Sequence, residues 1–199
     1  MILPIVVYGD PVLRKKCEHI TETYSNLEKL ITDMFETMYN AGGVGLAAPQ
    51  IGKAIRLFIV DTEPFANNDD EEDDEEFTKE ERKQLKEFKE VFINAEIIEE
   101  SGEDWKFNEG CLSIPRIRED VSRASTVKIK YFDEKFKQHT KTFDGLIARV
   151  IQHEYDHIEG KLFTDRISAL RRKLLSGKLN DISKGKIRVD YKTKVYVTK

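Results

Sequence analysis

The segment Gln152-His153-Glu154-Tyr155-Asp156-His157 contains the pattern H-E-x-x-H. On a helix this spacing sets two imidazoles one turn apart on one face, with a carboxylate beside them. Such a pair can hold a divalent ion, and the glutamate is then close enough to take a proton from a water that the ion activates. The competing reading is a charged surface helix with two unrelated histidines. The surrounding residues argue against it. Leu146, Ile147, Val150, Ile151 and Ile158 recur at helical spacing, Asp144 suits an N-cap, and Gly160 is placed to end the helix. Leu146, Val150, His153 and His157 then share one face, so the histidines extend an apolar stripe and need partners there.

A third ligand must come from elsewhere. In the longer pattern H-E-x-x-H-x-x-G-x-x-H, Gly160 fits but Phe163 stands where the last histidine belongs, and Asp165 is too near in sequence to serve as a ligand from a second helix. Upstream, Cys111 lies in Glu109-Gly110-Cys111-Leu112-Ser113-Ile114-Pro115, where glycine and proline flank a short extended stretch that can bring a thiolate up to a helix. Cys111 is assigned to the metal. Cys17 is read as a small buried apolar residue.

A third segment, Gly43-Val44-Gly45-Leu46-Ala47-Ala48-Pro49-Gln50, completes a set of three separated motifs. With them the chain resembles the peptide deformylases, from about Ile5 to about Ser168, interrupted by one insertion and fading over the last thirty or so residues. The resemblance implies an α+β fold, a single domain with antiparallel sheets wrapped around a central metal-binding helix. It implies removal of the N-formyl group from formyl-methionine at the start of nascent polypeptides, with release of formate. One divalent ion is implied, ferrous iron in the family's usual form, while a Cys/His/His set also accommodates zinc, nickel or cobalt by ligand type. A zinc peptidase using the same H-E-x-x-H chemistry is the alternative, and a non-catalytic metal- or RNA-binding module is a third reading.

Carried onto this chain, the resemblance gives Cys111, His153 and His157 as ligands and Glu154 as the general base. The oxyanion would meet two donors, the side-chain amide of Gln50 and the backbone N–H of Leu112. Gly43 and Gly45 lack a Cβ, so their backbone can approach a substrate closely or adopt positive φ. The methionine side chain is unbranched and apolar, and a pocket from Val44, Phe107, Leu146 and Val150, with Gly45 and Gly110 nearby, would accept it. Arg118 is a candidate for contacts to peptide carbonyls or a carboxylate.

Composition sets the limits. With 199 residues, 39% hydrophobic and 35% charged, the chain is long enough for one packed catalytic domain, expected over residues 1–170. No apolar run approaches a membrane span, the apolar start meets Gly9-Asp10-Pro11 too soon for a signal peptide, and two cysteines make no disulfide framework, so a reducing cytoplasm is expected. Neither membrane nor DNA is an expected partner. Eight consecutive acids, Asp69 to Glu76, turn the formal charge from −4 to +4 when set aside, and they mark residues 64–90 as an acidic loop insertion with a short charged helix near Glu80–Glu90. Residues 171–199 carry ten basic side chains against Asp181 and Asp190. Such an extension suits a polyanion, ribosomal RNA being the candidate, and is expected to be separable from catalysis; a solvated terminus is the plainer reading.

The remaining elements are legible from periodicity. Ser25-Asn26-Leu27-Glu28 reads as a capping box ahead of a helix with Leu27, Leu30, Ile31, Met34, Phe35 and Met38 on its apolar face. Strands are expected at Ile55–Val60, Val91–Ile98, Thr126–Phe132 and Phe136–Phe143, the last two joined by a turn at Asp133-Glu134.

Overall fold

The computed structural model describes residues 1–67 and 77–197; the acidic run lies outside the described residues. Five strands form one antiparallel sheet in the order β2 (Gly45–Ala47), β3 (Leu57–Asp61), β4 (Lys89–Cys111), β5 (Ile114–Phe132), β6 (Gln138–Asp144). The helices are α1 (Leu27–Asn40), α2 (Glu63–Ala66), α3 (Lys79–Glu87), α4 (Gly145–Ile158) and α5 (Ala169–Ser183), and two short strands, β1 (Ile5–Val6) and β7 (Thr193–Lys194), pair in parallel. This is the α+β arrangement expected from the order of elements.

The sheet wraps α4 because each partner offers an apolar face to the same stripe. Ala148, Val150, Ile151 and Ile158 of α4 pack with Phe58 and Val60 of β3, Phe92 of β4 and Val127, Ile129 and Tyr131 of β5. Burial of these side chains, each worth roughly 1.5–3 kcal/mol for the larger ones, fixes the helix on the sheet. The H-E-x-x-H segment therefore sits on a rigid element. Gly160, at φ 71°, ends the turn that follows α4, where a Cβ would press within 2.6 Å of the Arg14 carbonyl oxygen.

Strands β4 and β5 are far longer than the apolar runs that announced them. The expected Val91–Ile98 and Thr126–Phe132 are the halves that cover α4, and the pairing continues through Trp105↔Arg123, Phe107↔Val121 and Gly110↔Arg118 to a two-residue turn between Cys111 and Ile114. The distal half of β4 is largely exposed and polar, so periodicity gave it no signal; register shifts at four places bend the ladder. The hairpin's end brings Cys111 back over α4.

Helix α1 starts differently from expectation. Asn26 takes the left-handed conformation at φ 57° and occupies the N-cap without a side-chain cap bond, and Ser25 instead accepts from the Asn26 amide. The left-handed turn at Asn26 leaves Ser25 one residue too far out to cap. The capping box that does form is Thr78 with Glu81, at the start of α3. There Leu85 and Ala66 join Leu146 in a small apolar cluster with Phe65, Phe77 and Phe107 at its edge, so the described parts of the insertion pack onto the domain.

The C-terminal residues do the same. Leu175, Leu179 and Ile182 of α5 are buried with Val6, Val7, Leu13, Ile117 and Phe163, and β7 adds Thr193 and Lys194 alongside Ile5 and Val6. As far as Val195 the basic segment is folded against the domain. Its basic residues dominate the sequence, but an apolar stripe every three to four residues seats the helix.

Candidate metal centre and active site

Cys111 at the end of β4 and His153 and His157 on α4 present one thiol and two imidazoles whose ligand atoms all lie within 4.8 Å of one another. Cys111 Sγ is 3.3 Å from His157 Nε2. The soft thiolate with two borderline nitrogens is a donor set suited to a divalent transition metal, and the three residues fit one ion.

The orientation of His153 is set from behind. Its Nδ1 lies 2.9 Å from Glu109 Oε2, which leaves Nε2 to face Cys111 and His157. Glu109 is itself gripped by Arg123, at 2.7 and 2.9 Å, and by Arg149 at 3.0 Å. Arg123 also donates to Asp156 at 2.7 Å, and Asp156 accepts from Arg166. This buried chain of alternating charges ties β4, β5 and α4 together directly behind His153. Burial alone would raise the Glu109 carboxyl, but hydrogen bonds from Arg123 and His153 outweigh it and hold the group below the usual carboxylate range.

Glu154 points to the opposite side of α4 from Asp156. It is buried, its Oε2 has no hydrogen-bond partner among the described residues, and burial pushes its carboxyl up to about 7. A carboxylate without a partner in such a place is costly as a structural element and apt as a proton carrier near neutral pH. Its room is provided by Gly45, where a Cβ would sit 2.8 Å from both Cγ and Cδ of Glu154. Neither Gly43 nor Gly45 has positive φ; Gly42 takes that role at φ 66°, and Gly45 is needed for space rather than for conformational freedom.

Gln50 stands in the short 3-10 turn after β2 and is oriented by the last residue of that strand. The Ala47 N–H donates to Gln50 Oε1 at 2.8 Å, so the Nε2 end faces Cys111 Sγ at 3.5 Å and Ser113 Oγ at 3.3 Å. Leu112 lies in the turn after Cys111 and lines the same pocket.

Three comparisons with known proteins bear on this geometry. A model of the polypeptide deformylase family matches residues 2–173. The chain belongs to that family. A peptide deformylase of Flavobacterium psychrophilum is 58% identical over 195 residues, covering 98% of this chain and 97% of its own length, and one of Cytophaga hutchinsonii is 48% identical over the full length of both. Among solved structures, a peptide deformylase from Legionella pneumophila superposes with a TM-score of 0.76 at 37% identity, covering 94% of this chain and 99% of that one. The resemblance thus extends past Ser168, and relatives such as the Cytophaga deformylase align through the basic segment as well.

Within this deformylase site the expected pocket residues divide. Val44, Gly45, Phe107, Gly110, Arg118 and Val150 line the cavity beside Cys111 and His153. Leu146 does not: it packs beneath the wall with Ala66 and Leu85, because α2 and α3 cover that end of α4. The place read for Leu146 is taken by Phe65 of α2, which meets Phe107 edge to face at 6.5 Å. Phe65 lies inside the insertion, where an acidic neighbourhood masked it. Arg149 also lines the cavity, held by Glu109 and by carbonyls of Val121 and Trp105. Its partners come from distant strands, and nothing local in the sequence could have pointed to it. Arg118 is exposed at the rim and hydrogen-bonds Asn108 at 2.9 Å. No helix among the described residues is long and apolar enough to cross a membrane.

Proposed function

We propose that Cys111, His153 and His157 hold one divalent ion, ferrous in the working enzyme, and that Glu154, Gln50 and Leu112 carry the deformylation. The reaction is that of the family, hydrolysis of the N-formyl group of newly made polypeptides to formate and a free amine. The observation that carries the assignment is the convergence of a buried, unpartnered Glu154, an inward-turned Gln50 amide and the Cys/His/His donors on one cavity. When bound, the ion supplies Lewis-acid activation of the attacking water. Glu154 accepts the proton from that water and delivers it to the departing nitrogen, which its pKa near neutrality suits. Gln50 Nε2 and the Leu112 N–H donate to the oxygen of the formyl carbonyl as it gains charge, so they bind the transition state more tightly than the ground state.

Val44, Phe65, Phe107 and Val150 form the apolar walls that take the methionine side chain, with Gly45 and Gly110 beside them in the lining. Arg118 at the rim meets the chain beyond the first residue. The Cys/His/His donor set separates this site from an H-E-x-x-H zinc peptidase, which would need a third nitrogen or oxygen ligand from downstream. The setting is the cytoplasm, where nascent chains emerge and where a thiolate ligand and a free Cys17 stay reduced. A ribosomal partner is supported by the ten basic side chains of residues 171–199, and α5 also exposes Leu170 and Leu174.

The deciding assay uses anaerobically purified protein with formyl-Met-Ala-Ser. Stoichiometric formate and free amine are expected; cleavage of an internal peptide bond instead would refute the reading. Co-sedimentation with ribosomes that is insensitive to salt, or unchanged when the basic residues of α5 are neutralised, would remove that partner.

A further inference from the structure

The turn that carries Leu112 is held by a residue from the far end of the chain. Leu112 and Ser113 form the two-residue link between β4 and β5, closed by the Cys111↔Ile114 pair. Three contacts fix this link. Tyr191 Oη donates to the Leu112 carbonyl at 2.8 Å, the Tyr8 N–H donates to the Ser113 carbonyl at 2.8 Å, and Gln50 Nε2 donates to Ser113 Oγ at 3.3 Å. Tyr191 is in turn anchored, because the residues that follow it bond to β1 and its successor: Ile5 N–H donates to the Lys192 carbonyl at 2.9 Å and Val7 N–H to the Lys194 carbonyl at 3.1 Å. Its ring packs on the cluster that also receives the Leu112 side chain.

Peptide planarity leaves a two-residue link only four soft torsions between its closing pair. Anchoring the carbonyls of Leu112 and Ser113 fixes the two peptide planes that follow Leu112 and Ser113. The plane left over joins Cys111 to Leu112 and carries the Leu112 N–H, and its direction is then set by closure. A donor aimed at a developing charge acts by being held there beforehand. From this geometry we infer that Tyr191 is a positioning residue for deformylation, its hydroxyl holding the Leu112 turn so that the Leu112 N–H points at the reacting carbonyl. The inference rests on the functional reading above, and it ties the C-terminal segment to catalysis although the sequence suggested that the segment was separable.

The test uses the metal-loaded, full-length enzyme with Tyr191→Phe, which removes the hydroxyl and keeps the ring. The turnover number falls about tenfold, less than the roughly 10²–10³ lost when an oxyanion donor is deleted. KM and metal content stay at wild-type values, the thiolate-to-metal band of the cobalt form is unshifted, and amide hydrogen exchange at Leu112 and Ser113 becomes faster. Truncation after Asp190, which also removes the ring and β7, lowers turnover at least as far. Wild-type turnover in Tyr191→Phe overturns the proposal, and so does a loss that comes with metal release or a shifted cobalt band, since Tyr191 would then act through Cys111. Wild-type protein that releases no formate refutes the functional reading instead; unchanged exchange at Leu112 in Tyr191→Phe would then still overturn the tether.

Discussion

Replacing Gly45 by alanine should disable the enzyme without touching a ligand. The added methyl would stand 2.8 Å from Cγ and Cδ of Glu154, whereas carbon atoms pack without strain at about 3.5–4.0 Å. One of the two must withdraw by roughly 0.7–1.2 Å on that comparison. Gly45 is paired to Val60 in the sheet and cannot move far, so the carboxylate yields. A displacement of about 1 Å in a reacting group costs on the order of 10² in rate, and overpacking a tight site costs roughly 1–3 kcal/mol of stability. At about 2–4 °C per kcal/mol for a chain of this size, the melting temperature should drop measurably but the protein should remain folded. Formate release under saturating formyl-Met-Ala-Ser, metal analysis and thermal melts on the same preparation read all three quantities. Because the three atoms nearest the methyl all belong to Glu154, metal content should be unchanged. A Gly45→Ala enzyme with wild-type turnover would refute both the need for that space and the placement of Glu154 as the base.

Other substitutions separate the roles further. Glu154→Gln should abolish turnover with metal retained, since it removes a base and not a ligand, while Cys111→Ser should lose metal together with activity; metal analysis beside kinetics decides, and a Cys111→Ser protein that binds metal normally would disqualify the third ligand. Gln50→Ala should lower the turnover number by roughly 10²–10³ with KM changed far less, and an equal rise in KM at constant turnover would show that Gln50 binds only the ground state. Glu109→Ala should weaken metal binding by about 10–100-fold by releasing His153 and destabilise the fold by roughly 3–5 kcal/mol by leaving Arg123 buried beside an emptied partner; chelator competition and denaturant melts check each part, and unchanged metal affinity would free His153 from any dependence on Glu109.

The chemistry of this protein was written locally. His153, Glu154 and His157 lie within five consecutive residues, and helical periodicity alone puts two imidazoles on one face and the carboxylate beside them. Gln50 and Cys111 stood in short motifs whose glycine and proline marked them as shaped backbone, and the strands over α4 announced themselves by their apolar residues because that face is buried. Tertiary structure decided what depends on distant partners. The distal hairpin of β4 and β5 is polar on its outer side and held by cross-strand hydrogen bonds, which leave no trace in periodicity, yet it carries Cys111 to α4. Phe65 displaced Leu146 from the pocket because α2 and α3 fold over one end of α4, an event governed by the packing of Ala66 and Leu85 and hidden by the charge around them. The chain Glu109–Arg123–Asp156 joins residues 14 and 33 positions apart, and Tyr191 reaches Leu112 across 79. Such contacts follow from how the strands close, and a sequence read in windows of one helix or one strand has no means of placing them.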